Sequence, residues 1–260
     1  MAQVVTSRRG PVTGTAVRQR RRRPFLLDLY STSVGKKYVM GATGIMLMGF
    51  VLFHMIGNLK MYAGAADLDH YAHFLQTLLY PLAPKGWVLW ILRGGLITAL
   101  LLHLHAAATL TIQNRKARPV KYQTARDYQV ATFASRTMRM SGIVILAFVV
   151  WHLLDLTFGV VNSEVGRMVT HEGDTEAVKA VYASVVHTFE RPVVAFFYIV
   201  ANILLGIHLF HGAWSIFQSF GWNNPRFNKW RRGFATGFAA LIVIGNVSFP
   251  VAVMAGIVSL

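Results

Sequence analysis

The chain contains ten histidines and no cysteine. Without thiolates, disulfides, thiolate metal sites, covalently attached c-type haem and iron–sulfur clusters held by this chain alone all lack their ligands. Imidazole is therefore the only soft donor present in quantity. Six of the ten, His54, His103, His105, His152, His208 and His211, stand in strongly apolar surroundings, whereas His70, His73, His171 and His187 lie in polar segments and read as ordinary solvated side chains. Two neutral imidazoles held at matching depth on facing helices supply the axial ligands of a low-spin b-type haem, and helix bundles are where such groups sit. The alternative is that each histidine satisfies itself by hydrogen-bonding across helices. Six of them spread over four apolar segments weigh against that for the whole set.

The elements that must position these residues follow from composition. Apolar residues make up 54% of the chain and charged residues only 14%, against roughly a quarter charged in an ordinary soluble domain. Five stretches have the ~20 apolar residues needed to cross about 30 Å of hydrocarbon as helix: Tyr38 to Leu59, Trp87 to Ile112, Met140 to Val161, Val193 to Phe217 and Phe234 to Val258. Backbone polar groups in lipid must be satisfied within the segment or by a closed barrel, and a barrel would show shorter, alternating segments. The expected fold is thus an all-α integral membrane protein, a five-transmembrane-helix bundle.

The basic residues orient it. Nine of the 26 Lys and Arg precede the first span, seven lie between the second and third, and four lie between the fourth and fifth. By the positive-inside rule these segments face the cytoplasm, which puts the N-terminus inside and the C-terminus outside. Because the basic residues alternate with spans instead of forming one aromatic-studded patch, nucleic acid is not an expected partner. Residues 1–37 read as a basic, disordered tail lying on anionic lipid, and residues 38–260 as a single transmembrane domain. The run Arg22-Arg23-Pro24-Phe25-Leu26 is only faintly like a twin-arginine export signal, and no cleavage site follows it. Amphipathic runs at Tyr71 to Leu79 and Val178 to Val186 suggest interfacial helices capping the outer end. No internal repeat is strong enough to claim.

Depth pairs the histidines. His103 and His208 each stand nine residues before the cytoplasmic end of their span, about 14 Å deep by helical rise. His54 and His152 stand five and nine residues from the outer ends of theirs, and form a second pair. Two pairs imply two haems stacked across the membrane. His105 is rotated by about 200° from His103, so the two cannot share one iron. His211, one turn from His208, is placed to bind a propionate, line a quinone pocket or replace His208 as ligand.

Along these spans the sequence resembles the dihaem cytochrome b membrane anchor of succinate:menaquinone oxidoreductases, respiratory complex II, and of the related fumarate reductases. The resemblance is carried by Phe50-Val51-Leu52-Phe53-His54-Met55-Ile56-Gly57-Asn58-Leu59-Lys60, by Leu101-Leu102-His103, by Ser141-Gly142 leading to Phe148-Val149-Val150-Trp151-His152, and by Phe197-Tyr198-Ile199-Val200 leading to Ile207-His208-Leu209-Phe210-His211-Gly212-Ala213-Trp214. It covers all five spans and leaves out the tail. It implies His54, His103, His152 and His208 as haem ligands, and a multi-pass protein of the bacterial plasma membrane.

It also implies a division of labour. No dinucleotide fingerprint follows a strand in this chain, so succinate oxidation would belong to a flavoprotein subunit and an iron–sulfur subunit docked on the cytoplasmic side. Electrons would then pass through two b-type haems to menaquinone. Candidate propionate partners are Arg139, with Lys36, Lys37 and Arg136, on the cytoplasmic side and Arg93 and Lys60 toward the outside, although snorkelling is the competing account of such cations. Quinone reduction also consumes protons, so its site needs titratable or hydroxyl groups beside an apolar slot. Asp155, Lys60 and Asn58 would serve an outer site, and His211, Ser141 and Trp214 an inner one. The residues leave four rival readings open: a haem-poor or differently metallated anchor, a dihaem cytochrome b of another membrane oxidoreductase, a transporter whose histidines bind metal or relay protons, and a purely structural anchor.

Overall fold

The computed structural model describes residues 24–117 and 133–260. Five of its helices are long and apolar enough to cross a membrane: α2 (Ser33–Asn58), α4 (Trp87–Lys116), α5 (Phe133–Leu156), α7 (Pro192–Ser219) and α8 (Asn228–Met254). Shorter helices are α1 (Phe25–Ser31), α3 (Ala65–Thr77) and α6 (Val181–Phe189). The chain thus has the architecture of a multi-pass, all-α membrane protein.

The helices run past the expected spans at the end rich in Lys and Arg. α2 begins at Ser33, α4 continues to Lys116 and α8 begins at Asn228, because hydropathy marks only what lies in lipid while backbone hydrogen bonding continues into the interface. The third span is shorter than expected at its far end. α5 stops at Leu156, where Phe158 N–H turns back to Leu153 C=O and Gly159 adopts a positive φ of 66° that a glycine takes without strain.

The tail expectation is corrected in part. Residues 25–31 and 33–37 are helical, and the rest of the expected tail, residues 1–23, lies outside the described residues, as do Arg118, Lys121 and Arg126. A tight corner joins the two helices. Thr32 caps α2 by accepting from Gly35 N–H at 2.9 Å and donates to Leu29 C=O at 2.7 Å. A β-carbon on Gly35 would collide with the same Leu29 carbonyl, so only glycine fits there. Tyr30 then reaches His105 Nδ1 at 2.5 Å, which gives the spare histidine of α4 a structural role.

The spanning helices pack as two pairs, α2 with α4 and α5 with α7, and α8 lies along α7 and touches α2. Among the described residues, neither α2 with α5 nor α4 with α7 shares an extended contact. The α7–α8 seam is close-packed: a β-carbon on Gly206 would strike Val243, and Asn246 donates to Asn202 Oδ1 at 2.9 Å within the apolar layer. Such a polar clasp satisfies groups that lipid cannot.

At the far end a cap is built from both long connections. The strand pair β1 (Met168–Val169) and β2 (Val178–Lys179) is antiparallel, so Val178 and Lys179, expected to open an interfacial helix, lie in strand and α6 starts at Val181. Buried Asp69 of α3 accepts from Tyr182 N–H at 2.8 Å and meets His171 Nε2 at 3.0 Å. His70 meets Asp174 at 2.8 Å. Buried Asn162 donates to Ser184 C=O and Thr188 Oγ1 at 2.8 and 2.9 Å.

Candidate functional site

His103 on α4 and His208 on α7 occupy matching niches. His103 Nδ1 lies 3.2 Å from both Met40 C=O and Thr43 Oγ1 of α2, and its ring is within van der Waals reach of where a β-carbon on Gly44 would sit. His208 Nδ1 lies 3.3 Å from Ser141 Oγ of α5, next to Met138 C=O, and its ring holds the same relation to Gly142. In each niche a glycine lets the ring approach the neighbouring helix, and a hydroxyl with a carbonyl engages Nδ1. That leaves Nε2 as the free donor.

The niches expose an internal repeat. Met40, Thr43, Gly44, Phe50 and His54 of α2 recur as Met138, Ser141, Gly142, Phe148 and His152 of α5, each 98 residues later. Phe50 stacks on His54 at 5.3 Å, and Phe148 lies 5.8 Å from His152. This repeat escaped the sequence reading because five identities or near-identities in a Leu-, Val- and Ile-rich background carry little statistical weight. The spacing Met-x-x-(Thr/Ser)-Gly followed by Phe and His was the signal that could have found it.

The histidines meet across the two halves. The rings of His54 and His152 are 5.9 Å apart and nearly perpendicular, at 86°. His103 and His208 sit in matching niches on α4 and α7, and His211 lies on α7 three residues beyond His208. Of the two expected pairs, His54 with His152 is brought into ring contact.

His152 has a further shell. Asp155, fully buried on the same helix, accepts from Arg191 Nη2 at 2.6 Å and from the Tyr198 hydroxyl at 3.2 Å. Tyr198 Oη also lies 3.4 Å from His152 Nδ1. Neither Arg191 nor Tyr198 was singled out in the sequence: a cation at the edge of a span reads as loop, and a tyrosine within one reads as packing. Across the bundle, Asn58 Nδ2 lies 3.4 Å from His54 Nε2.

The other expected site residues are dispersed. Lys60 lines a cleft of about 330 Å³ at the far end with Asp67, His70, Tyr71 and Phe74. Next to that cleft, the Asp174 carboxyl is held below its ordinary value by the hydrogen bond from His70. Arg93 is exposed and lies over Trp90, 5.1 Å from the ring centre. Lys36 and Lys37 fall in the first turn of α2, with Lys37 exposed, and Arg139 is exposed beside Met138. Trp214 packs under the guanidinium of buried Arg231, 5.1 Å from its ring centre. Ser141 is buried against His208.

The donor set can be tested against a bis-histidine haem. Two imidazoles sharing one metal, each nitrogen about 2 Å from it, have ring centres roughly 6 Å apart, and His54 and His152 match that spacing. Among the described residues the helices carrying each pair are not closely packed on one another. Trp151 Nε1, Arg191 Nε and Arg231 Nε are buried donors without a partner among the described residues. Among the described residues no three His, Asp or Glu side chains converge as a metal site. A bis-histidine haem asks for two protein ligands. The residues fit haem.

Compared with known protein families, curated proteins and solved structures, the chain matches none. The functional reading rests on the residues themselves.

Proposed function

We propose that this chain is a dihaem membrane cytochrome b, and that it serves as the quinone-reducing anchor of a succinate:menaquinone oxidoreductase. The observation that carries the haem reading is that His54 and His152, equivalent residues of the α2–α5 repeat, meet ring to ring, while His103 and His208 occupy matching niches against those same two helices. His103 and His208 would hold one haem and His54 and His152 the other. When bound, the haems would supply one-electron carriers along the membrane normal.

The chain's own residues do the rest. Thr43 and Met40 C=O at His103, and Ser141 at His208, engage Nδ1 and so orient Nε2 toward the interior. Ser141 and Trp214 are engaged by His208 and Arg231, as Asp155 is by Arg191 and Tyr198 and Asn58 by His54, which leaves His211 of the inner quinone candidates and Lys60 of the outer ones. The far-end cleft offers more. Lys60 and His70 bring transferable protons to it, and Tyr71 and Phe74 an aromatic wall for a quinone ring. We therefore read the quinone at the far end.

The charge pattern supports an N-terminus in the cytoplasm of a bacterial cell, with the basic end meeting the iron–sulfur and flavoprotein subunits and anionic lipid. Protons drawn from outside while electrons enter from inside would move charge across the membrane, worth about 2.3 kcal/mol per charge per 100 mV.

A dithionite-reduced minus oxidised spectrum of the purified chain, with haem quantified, tests the reading. About two b-type haems per chain is the expected result. None would sink it, and two haems without a copurifying flavoprotein or succinate activity would leave a dihaem cytochrome of another oxidoreductase.

A further inference from the structure

We propose that Tyr198 is a positioning residue for His152, clamped by the buried Asp155–Arg191 pair, and that it fixes which ring nitrogen His152 presents to the bundle interior. The inference rests on the haem reading above.

Donor and acceptor accounting gives the direction of each bond. Arg191 is a permanent cation, and an ionised carboxylate can only accept. Asp155 therefore receives Arg191 Nη2–H at one oxygen and the Tyr198 hydroxyl proton at the other, at 2.6 and 3.2 Å. With its proton so directed, Tyr198 Oη has only lone pairs left for His152 Nδ1, 3.4 Å away. That nitrogen must carry the hydrogen, so the tautomer is set and Nε2 is the metal donor. The last link is long for a hydrogen bond, so the hold is modest and its loss is a shift, not a collapse.

The arrangement is particular to one ligand of the four. Among the described residues, His103 and His208 hydrogen-bond to neutral hydroxyls and carbonyls, and His54 meets the Asn58 amide at Nε2. The first half of the repeat carries Gly57 where the second carries Asp155. A ligand whose N–H leans on a carboxylate-polarised hydroxyl is a stronger donor to iron, and this favours the oxidised state. The Tyr198 ring itself is fixed edge-on against Phe148 and Phe189, with centroids 5.0 and 5.1 Å away. Tyr198→Phe therefore removes the hydroxyl and little else.

The test compares wild type, Tyr198→Phe and Asp155→Asn in the intact complex, by haem content, redox titration of each haem and low-temperature EPR. Tyr198→Phe is expected to keep two haems, raise the midpoint of one and leave the other in place. The ferric low-spin signal of the same haem should move, because its position depends on the angle between the axial rings. Asp155→Asn should raise the same midpoint by a smaller shift, since the hydroxyl can still accept. A Tyr198→Phe protein with two haems and unchanged midpoints and signals overturns the proposal, even if Asp155→Asn alone moves a potential. A wild type without haem overturns the underlying reading instead, and the haem assay separates the two failures.

Discussion

At the scale of residues, the Asp155–Arg191 pair is the most consequential interaction outside the histidines. Asp155 is fully buried, while Arg191 keeps about 29% of its side chain exposed. Removing one partner of a buried pair typically costs about 3–5 kcal/mol because the other charge is stranded. Arg191→Ala should fall toward the lower figure, since Tyr198 still serves one carboxylate oxygen. Replacing both partners by leucine should recover most of the loss, because a well-packed apolar pair carries no desolvation penalty. Thermal unfolding in detergent checks this, and an Arg191→Ala midpoint equal to wild type would show the pair to be inert. Asp155 was legible in the sequence as an ionisable group inside a span. Its partner was not, because Arg191 is 36 residues away and sits just before the proline that opens α7. Thr43, which has the same role at His103 that Ser141 has at His208, was equally hidden, since a hydroxyl in a helix usually bonds its own backbone, as Thr43 also does to Val39 C=O at 2.7 Å.

At the scale of elements, all five spanning helices were legible, because length and hydropathy in lipid leave the backbone no other economical solution. What pattern could not give is where helix continues into water. The α1–α2 corner depends on Gly35 and on the Thr32 cap, local geometry that carries no periodicity. The far-end cap was legible only as two amphipathic runs, because its tertiary bonds join α3 to the β1–β2 turn across about a hundred residues. One of those bonds should be sensitive to pH. His70 holds the Asp174 carboxyl below its ordinary value, so in the folded protein the carboxylate persists to lower pH than in the unfolded chain. The stabilisation is fully present above the unfolded value and is lost as pH falls through the depressed folded one. Limited proteolysis or hydrogen exchange at residues 171–174 should therefore show loosening only at strongly acidic pH. In His70→Ala that onset should shift toward the ordinary carboxylate range. An onset unmoved by His70→Ala would mean that the contact does not hold the turn.

At the scale of the whole molecule, the 98-residue repeat predicts which histidines act together. α2 and α5 are equivalent in sequence and bring His54 to His152, and His103 of α4 and His208 of α7, although 105 residues apart, stand in equivalent niches against them. Pairing within a half would instead join His54 to His103 and His152 to His208, residues expected near opposite membrane faces. Double variants separate these schemes more sharply than single ones. On the haem reading, His54→Ala with His152→Ala removes both ligands of one haem and none of the other, so about one haem per chain should remain. The same holds for His103→Ala with His208→Ala. His54→Ala with His103→Ala, both in the first half, takes one ligand from each haem and should leave neither bis-histidine centre. A pyridine haemochrome assay on the purified variants reads this directly. If the within-half double variant kept one intact low-spin haem while a cross-half one lost both, the axis relating the halves would not pass through the haems. The repeat would then describe packing alone.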